Sequence, residues 1–395
     1  MENKTKVAKM SFFDVFKGEA KLLFSDIAIV LTIFGGVILY SFLYPQPYLK
    51  ESVRELPISV VDYDKSDTSR NYIFNLDATP QVKVIRQDMN KKDALDALVA
   101  NKIKGIIIIP AHFKKDLALG KSPTIALGVD NSYFLIYGGV LEATLKTTLT
   151  YAAGMKVANL LKQQLPLAKA KEAYTPYSLN DIALFNRYNS YTQYVIPAVF
   201  ILILQQTMLI GMGILGGGIN ERIRRKEKGY FVDADVWQII VSRCILFGGI
   251  FFIHMIYYFG FSFTFFDVSH LASIEDILKF GFAFLAASLA LGIFLGSIFT
   301  SREIATPAVL FSSLPLVFSA GFVWPLEAMP EFIRELALLS PSTPAIQGFL
   351  KLNQMGAEFS MVKENYALLW IQVLIYIILG YYFMSKNKRK IDGTV

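Results

Sequence analysis

Six apolar stretches, one near the start of the chain and five in its second half, constrain this sequence more than any other feature. They cover residues 24 to 44, 194 to 218, 237 to 262, 279 to 299, 304 to 325 and 364 to 385. Each reaches the roughly 20 residues that an α-helix needs to cross the hydrocarbon core of a bilayer. The sequence therefore predicts an α-helical integral membrane protein with six transmembrane helices, helices two to six lying within residues 191–385.

The orientation follows from lysine and arginine in short flanking loops, which are retained on the cytoplasmic side. These residues cluster before the first stretch, between the second and third, and after the sixth, whereas the loop from Asp267 to Ile277 has none. We therefore expect both termini, including a tail at 386–395, in the cytoplasm. Such flanks account for most of the net charge of +7, so no nucleic-acid partner is expected. The clusters are Lys4, Lys6, Lys9, Lys17 and Lys21; Arg222, Arg224, Arg225, Lys226 and Lys228; and Lys386, Lys388, Arg389 and Lys390.

The start of the chain allows two interpretations. A cleavable signal peptide needs small residues at its cut site, whereas residues 24–44 run into Phe42-Leu43-Tyr44-Pro45. An uncleaved anchor is therefore favoured. In residues 1–23 phenylalanines interleave with charged residues, which predicts an amphipathic elbow helix along the cytoplasmic face, or an ordinary topogenic flank.

The polar block at 45–190 is predicted to form an extracytoplasmic α/β domain with a helical stalk. The single cysteine, Cys244, lies in the third apolar stretch, so no disulfide can brace this domain. Short β-rich segments alternate with helical ones from Leu56 onward, and Gly105-Ile106-Ile107-Ile108-Ile109-Pro110 is typical of a strand buried on both faces. Residues 133 to 165 have a helical pattern.

Motifs for catalysis, metals and cofactors are not evident. Gly120-Lys121-Ser122 is similar to the end of a phosphate-binding loop, but Lys115 stands where the first glycine is required. The three histidines have no partner at ligand spacing. Asp62 and Asp64 could bind a cation, although strand-end acids beside a helix cap are the commoner explanation. No cofactor, metal or catalytic residue is therefore predicted on this chain.

Few ionisable groups lie within the apolar stretches, where they often mark function. His254 is the deepest, and it either bonds a neighbouring helix or lines a pathway. Ser312, Ser313 and Ser319 form a polar strip that could line a cavity or mark a kink. Arg243 is expected to extend its side chain to the headgroups.

Residues 325–350 are predicted to form a re-entrant hairpin. Four prolines, Pro325, Pro330, Pro341 and Pro344, divide an apolar segment into pieces too short to span. A surface loop with an amphipathic helix is the alternative.

The chain resembles the membrane subunits of type-2 ABC exporters over essentially its whole length. The most specific likeness is Ser319-Ala320-Gly321-Phe322-Val323-Trp324-Pro325 through Met329-Pro330 and Ser340-Pro341, which resembles the fifth span and re-entrant hairpin of that family. Further likeness lies in Phe16-Lys17-Gly18-Glu19, in Leu56 to Asp62 with Asp64, Ser66, Ser69 and Arg70, and in Glu221 to Gly229.

The resemblance implies a permease that exports hydrophobic or amphipathic molecules or lipids across a bacterial cytoplasmic membrane. Energy would come from a separate ABC ATPase subunit, with a second copy or a similar permease completing the route and a periplasmic adaptor as a further partner. The residues implied in ATPase coupling are Lys17, Glu19, Glu221, Arg222, Arg224, Arg225, Lys226 and Glu227. An ATP-independent carrier or channel, or a membrane-anchored receptor, is the alternative function.

Overall fold

The computed structural model describes residues 10–48, 54–132, 134–162, 164, 166–169, 184–186 and 190–389. The chain divides into a larger unit, Met1–Leu49 with Leu184–Val395, and a smaller unit, Lys50–Ala183. Four of the predicted topogenic lysines, Lys4, Lys6, Lys9 and Lys390, lie outside the described residues, as do parts of the predicted segments 45–190 and 386–395.

Helices dominate the chain, and one small sheet lies in the smaller unit. The larger unit begins with α1 (Phe12–Ser25) and α2 (Ile27–Tyr48). The smaller unit contains β1 (Leu56–Asp62), α3 (Asp67–Asp77), β2 (Val82–Asp88), α4 (Lys91–Val99), β3 (Gly105–Ile109), α5 (Phe113–Ala118), β4 (Ala126–Val129) and α6 (Phe134–Lys162). The larger unit continues with α7 (Thr192–Arg224), α8 (Tyr230–Asp233), α9 (Val236–Phe265), α10 (Ile274–Ile298), α11 (Arg302–Ser319), α12 (Glu331–Ala337), α13 (Ser342–Phe349) and α14 (Phe359–Arg389).

The sheet has the strand order β2-β1-β3-β4, in which β1 runs parallel to β2 and β3, and β4 is antiparallel to β3. Successive side chains of a strand point to opposite faces. Val60 and Ile107 accordingly pack with α3, α5 and α6, whereas Val61 and Ile106 pack with α4. The prediction of a strand at Gly105–Ile109 that is buried on both faces is confirmed.

The acidic residues after β1 cap backbone groups. Asp62 Oδ1 accepts hydrogen bonds from the N–H groups of Asp64 and Lys65, each at 3.0 Å, and its Oδ2 accepts one from Ser69 Oγ at 2.6 Å. Ser66 Oγ caps α3 by accepting from the Ser69 N–H at 3.1 Å. These bonds support the capping interpretation over the cation site, and no cluster of three potential metal ligands occurs in the described part of the chain.

Among the described residues, five helices are long and apolar enough to cross a membrane: α2, α7, α9, α10 and α14. They coincide with five of the six predicted spans. The remaining prediction, 304–325, overlaps α11, which has 18 residues and a length of about 27 Å at 1.5 Å per residue. Its first two residues, Arg302 and Glu303, and its two prolines lower its mean hydropathy. A sixth crossing therefore stays a prediction.

Helix α7 is the central helix of the larger unit, because most of its side chains are buried along its length. Glycines allow its neighbours to approach at backbone distance. A Cβ atom on Gly216 would overlap the carbonyl of Gly296 in α10, and one on Gly217 would overlap the carbonyl of Ser301, just before α11. The absence of side chains at Gly216 and Gly217 therefore allows α10 and the start of α11 to pack closely on α7.

Asn220, one turn further along α7, donates hydrogen bonds to the free carbonyl groups at the end of α10. Its Nδ2 donates to the carbonyl oxygens of Gly296, Ser297 and Phe299 at 3.0, 3.1 and 2.9 Å. A helix leaves its last carbonyl groups without intrahelical partners, so this amide replaces bonds that water would otherwise supply. The same region of α7 thus packs and caps α10.

We expect Gly216→Ala to destabilise the protein and Gly249→Ala to leave its stability nearly unchanged. The added methyl group at 216 has no room against the Gly296 backbone, and such overpacking costs about 1–3 kcal/mol. Nothing lies within 4 Å of a Cβ built on Gly249, which is also helical. Thermal unfolding of the purified variants, followed by size-exclusion chromatography in detergent, measures the difference. Equal melting temperatures for both variants would contradict the proposed packing.

Candidate functional site

Two short helices, α12 and α13, follow α11 within residues 325–350, the segment predicted to be a hairpin and called the hairpin below. Helix α12 has seven residues and is about 10 Å long, and α13 continues past Phe349 through a π-helical turn, Leu350–Gln354, to a combined length of about 20 Å, so neither is long enough to cross a bilayer. Pro330 and Pro341 stand immediately before them, and Pro344 lies in the first turn of α13, where a missing N–H costs little. Pro325 precedes a short 3₁₀ turn, Leu326–Ala328. Entry of this hairpin into the membrane stays a prediction.

Side chains from two long helices satisfy the backbone of the turn between α12 and α13. Gln372 Nε2 of α14 donates to the Leu338 carbonyl at 2.7 Å, and the Tyr376 hydroxyl donates to the Leu339 carbonyl. Gln205 Oε1 of α7 accepts from the Ser342 N–H at 2.7 Å. Unpaired backbone groups are costly in apolar surroundings, so these partners permit a helix break there.

The hairpin borders a large apolar cavity of about 1380 Å³ that is open to the surface of the protein. Its other walls come from α7, α10, α11 and α14, and large apolar side chains such as Phe294, Phe311 and Trp324 cover most of it. None of the side chains that line it carries a formal charge. Its polar groups include Gln205, Ser340 and Gln372 beside the hairpin turn. This surface suits an uncharged or amphipathic molecule, because an isolated charge would lose its hydration there.

The predicted pathway residues divide into two groups. Ser312 and Ser319 line the cavity, together with Pro330 of the hairpin. Ser313 does not line it, and the hydroxyls of Ser312 and Ser313 both donate to the Val309 carbonyl, at 2.7 and 3.1 Å. These bonds within the helix fit either lining or kinking.

His254 lies away from the cavity, within α9. Its ring is nearly perpendicular to those of Phe34 and Phe251, with ring centroids 5.5 and 5.3 Å apart. Its Nδ1 atom is buried and has no hydrogen-bond partner in the described part of the chain. The structure therefore places His254 in an aromatic cluster between α2 and α9 and does not bring it together with the serine strip.

Most of the predicted coupling residues lie together where α7 ends. Arg222, Arg224, Arg225, Lys226 and Glu227 are exposed, and Glu221 is half-buried. Glu221 pairs with Arg225 at 2.5 Å, and Arg224 donates to the Thr300 carbonyl, before α11. On α1, Lys17 is also exposed, with its ammonium 4.5 Å from the centre of the Phe13 ring. The structure thus brings six of the eight together and leaves Lys17 on another helix.

Glu19 differs from the other seven because it is fully buried. Its carboxylate pairs with Arg243 of α9, with Arg243 Nε 3.0 Å from Oε2 and Nη2 3.3 Å from Oε1. Arg243 is 2% exposed, so the expectation that it reaches the headgroups is wrong: its counter-ion lies inside the protein. The carboxylate of Glu19 is therefore not available on the surface of α1.

Tyr230 of α8 completes this buried cluster. Burial, and then the nearby Glu19 carboxylate, raise the pKa of Tyr230 far above its usual value, which keeps the phenol neutral. A Cβ atom on Gly18 would contact the Tyr230 ring at 2.5 Å, so α1 and α8 pack tightly at this glycine. Glu19, Tyr230 and Arg243 thus connect α1, α8 and α9.

A polar cleft of about 630 Å³ lies beside the α7 terminus. It is lined by Glu221, Arg222 and Glu227 together with Asp26, which caps α2, and Arg302, the first residue of α11. Arg302 Nη2 lies 2.9 Å from Asp26 Oδ2. This ion pair connects the beginnings of α2 and α11 across the cleft.

Sequence reasoning missed the partners of these groups. Asp26 and Arg243 were visible as charges at or inside apolar stretches, and Gln205 and Gln372 as amides within them. Such residues need partners in an apolar setting, which is a usable signal. No spacing rule identifies the partner, since Glu19 and Arg243 are 224 residues apart.

The sequence is similar to known membrane transport proteins. A family model described as "ABC-2 family transporter protein" matches residues 27–382. The chain is 24% identical over 361 residues to the "Inner membrane transport permease YhhJ" of Escherichia coli (strain K12), a match that covers 87% of this chain and 88% of that protein. The protein of the same name from Shigella flexneri matches equally.

Glu19→Gln should lower the stability of the protein strongly, because it leaves the Arg243 charge buried without its counter-ion. Breaking a buried pair in this way costs about 3–5 kcal/mol. Thermal unfolding in detergent measures the effect, with the exposed Lys17→Gln as the matched control on α1. The double variant Glu19→Leu with Arg243→Met should recover much of the loss. An unchanged melting temperature for Glu19→Gln would show that the ion pair contributes little to the free energy of unfolding.

Proposed function

The chain belongs to the ABC-2 family of transporter proteins, and on that premise we propose that it is the membrane subunit of an exporter powered by a separate ABC ATPase. It is a multi-pass transport permease, and nucleotide hydrolysis is assigned to the partner chain. The observation that carries the proposal is the open apolar cavity of about 1380 Å³, which has no charged lining residue and is bordered on one side by the hairpin. Its cargo is a hydrophobic or amphipathic small molecule, or a lipid.

The cavity walls support this cargo class. Removing apolar surface from water contributes about 25 cal/mol per Å², so a lipophilic molecule gains from entering such a space. A cation or an anion would need a counter-charge, which the lining residues do not supply. Ser312, Ser319 and Gln205 provide a few polar contacts that would orient the cargo.

Coupling to the ATPase is proposed at the charged end of α7. Lys17, Glu221, Arg222, Arg224, Arg225, Lys226 and Glu227 would contact the ATPase, and ion pairs such as Glu221 with Arg225 could exchange partners as it moves. Glu19 would act indirectly, because its bond to Arg243 ties the elbow helix to α9.

The proposed setting is the bacterial cytoplasmic membrane, which the names of the relatives support. Both termini would be cytoplasmic, α11 would be the sixth crossing, the hairpin at 325–350 would be re-entrant, and the domain at 45–190 would be extracytoplasmic. A second permease copy or a homologous permease would complete the route within membrane lipid, and a periplasmic adaptor could continue it.

Transport is tested by purifying the chain from its host and reconstituting it with the ATPase that accompanies it. We expect an ATPase at a stoichiometric ratio and ATP-dependent uptake of neutral lipophilic dyes into inside-out vesicles. Ser312→Trp should reduce uptake several-fold because the indole projects into the cavity and obstructs part of it. The control Leu314→Trp, on an exposed and non-lining position of α11, should not. Uptake without an ATPase would support a carrier or channel instead.

Orientation is tested with single cysteines in a Cys244→Ser background. A membrane-impermeant maleimide added to intact cells should label Lys92→Cys in α4 and should label Lys228→Cys, after α7, only once the membrane is permeabilised. Both positions are exposed, so burial cannot explain a difference. Labelling of Lys228→Cys in intact cells would refute the proposed topology.

A further inference from the structure

The smaller unit contains a separate cavity that the transport proposal does not use. It lies between α6 and the segment that joins α5 to β4, and its volume is about 150 Å³. Tyr72 of α3, Phe113 of α5, and Tyr151 and Met155 of α6 supply most of its apolar surface, with Ile125 beside them. An apolar cavity of about this size is large enough for one aromatic ring.

The aromatic residues present ring surface to the cavity and keep their polar atoms for the protein. Tyr72 packs edge to face on Phe113 and on Tyr151, with centroids 6.4 and 5.8 Å apart. The Tyr72 hydroxyl is 2.8 Å from Thr148 Oγ1, and the Tyr151 hydroxyl donates to the Thr68 carbonyl at 3.0 Å. These bonds fix the rings, so the apolar part of the site is formed in advance.

A helix end shapes one side of the entrance. Gly120, at a φ of +73°, ends α5: its N–H donates to the Leu117 carbonyl at 3.1 Å, and the Lys121 N–H donates to the Asp116 carbonyl at 2.9 Å. This is a Schellman cap. Gly120-Lys121-Ser122 therefore follows the carbonyl end of a helix, and the N–H groups of Gly120 and Lys121 bond that helix, so they do not form a phosphate loop. The turn places Lys121 at the edge of the cavity.

Lysines are the only charged residues among the described residues that line this cavity. Lys121 and Lys156 both line the cavity, and none of its lining residues is acidic. Asp116 stands outside the lining, with its carboxylate 3.8 Å from the Lys121 ammonium, which offsets part of this charge. Ser122 and Asn159 add neutral polar groups at the same cavity.

We propose that this cavity binds a small molecule with a flat apolar body and a carboxylate head. The body would lie against Tyr72, Phe113 and Tyr151, and the carboxylate would meet Lys121 at the entrance. Each part of such a ligand matches one part of the site, because the rings exclude water from the body while the charged end stays partly hydrated. The site belongs to the smaller unit alone and does not depend on an ATPase.

The full chain in lipid nanodiscs, titrated with 4-fluorobenzoate and observed by fluorine NMR, tests the proposal. We expect saturable line broadening with a Kd on the order of 0.1–1 mM, which is usual for so small a ligand. Ala152→Trp should abolish it, because the indole fills the cavity that Ala152 lines. Leu149→Trp, on the exposed side of the same helix, should leave it intact, as should Ser312→Trp in the transport cavity.

The charge of the ligand provides the second comparison. Lys121→Glu should weaken 4-fluorobenzoate binding about tenfold and strengthen binding of 4-fluorobenzylammonium, since one nearby charge changes sign. Broadening that persists in Ala152→Trp would overturn the site, because it would show partition into lipid or another cavity. Equal affinity of the wild-type chain for the carboxylate and the ammonium would overturn the proposed ligand class. Neither outcome bears on whether the chain transports dyes.

Discussion

Close backbone contact along α7 is the constraint on which the rest of the larger unit depends. Gly216 and Gly217 leave no side chain between α7 and its neighbours, so α10 and the start of α11 pack directly on it. The same helix then reaches three regions of the candidate site. Gln205 holds the hairpin turn, Leu209 lines the apolar cavity, and Arg222 lines the polar cleft. A rigid displacement of α7 would therefore affect the cavity and the cleft together.

Hydrogen bonding in apolar surroundings governs the hairpin. A chain that breaks its helix away from water must find partners for the freed carbonyl and N–H groups. Here Gln372 and Tyr376 donate to the carbonyl groups at the end of α12, and Gln205 accepts from the N–H group at the start of α13. Because these groups bond the backbone, they leave the cavity lined mainly by apolar atoms. A cavity with so few polar atoms suits lipophilic molecules better than ions.

The charged residues act in two different environments. Those at the end of α7 are exposed, where ion pairs are worth little and can exchange, which suits a contact that must form and break. Glu19 and Arg243 are buried, where each depends on the other to offset its lost hydration. Tyr230 adds a neutral phenol beside them. The exposed group is therefore suited to docking, and the buried pair is suited to keeping α1 and α9 in fixed register.

The sequence by itself determined the local features. Apolar runs predicted six spans, five of which coincide with helices long and apolar enough to cross a membrane. The alternation of short strands and helices predicted the sheet, and the prolines predicted α12 and α13 as separate pieces. Each of these features depends on residues close in the chain. Only the tertiary structure decided the rest: that Glu19 faces Arg243, that Gln205 and Gln372 hold the hairpin turn, that Ser312 lines a cavity while Ser313 does not, and that His254 stands apart. These facts depend on which helix faces meet. The sequence of a helix shows which of its faces is apolar, but it does not show which distant residue will pack against that face.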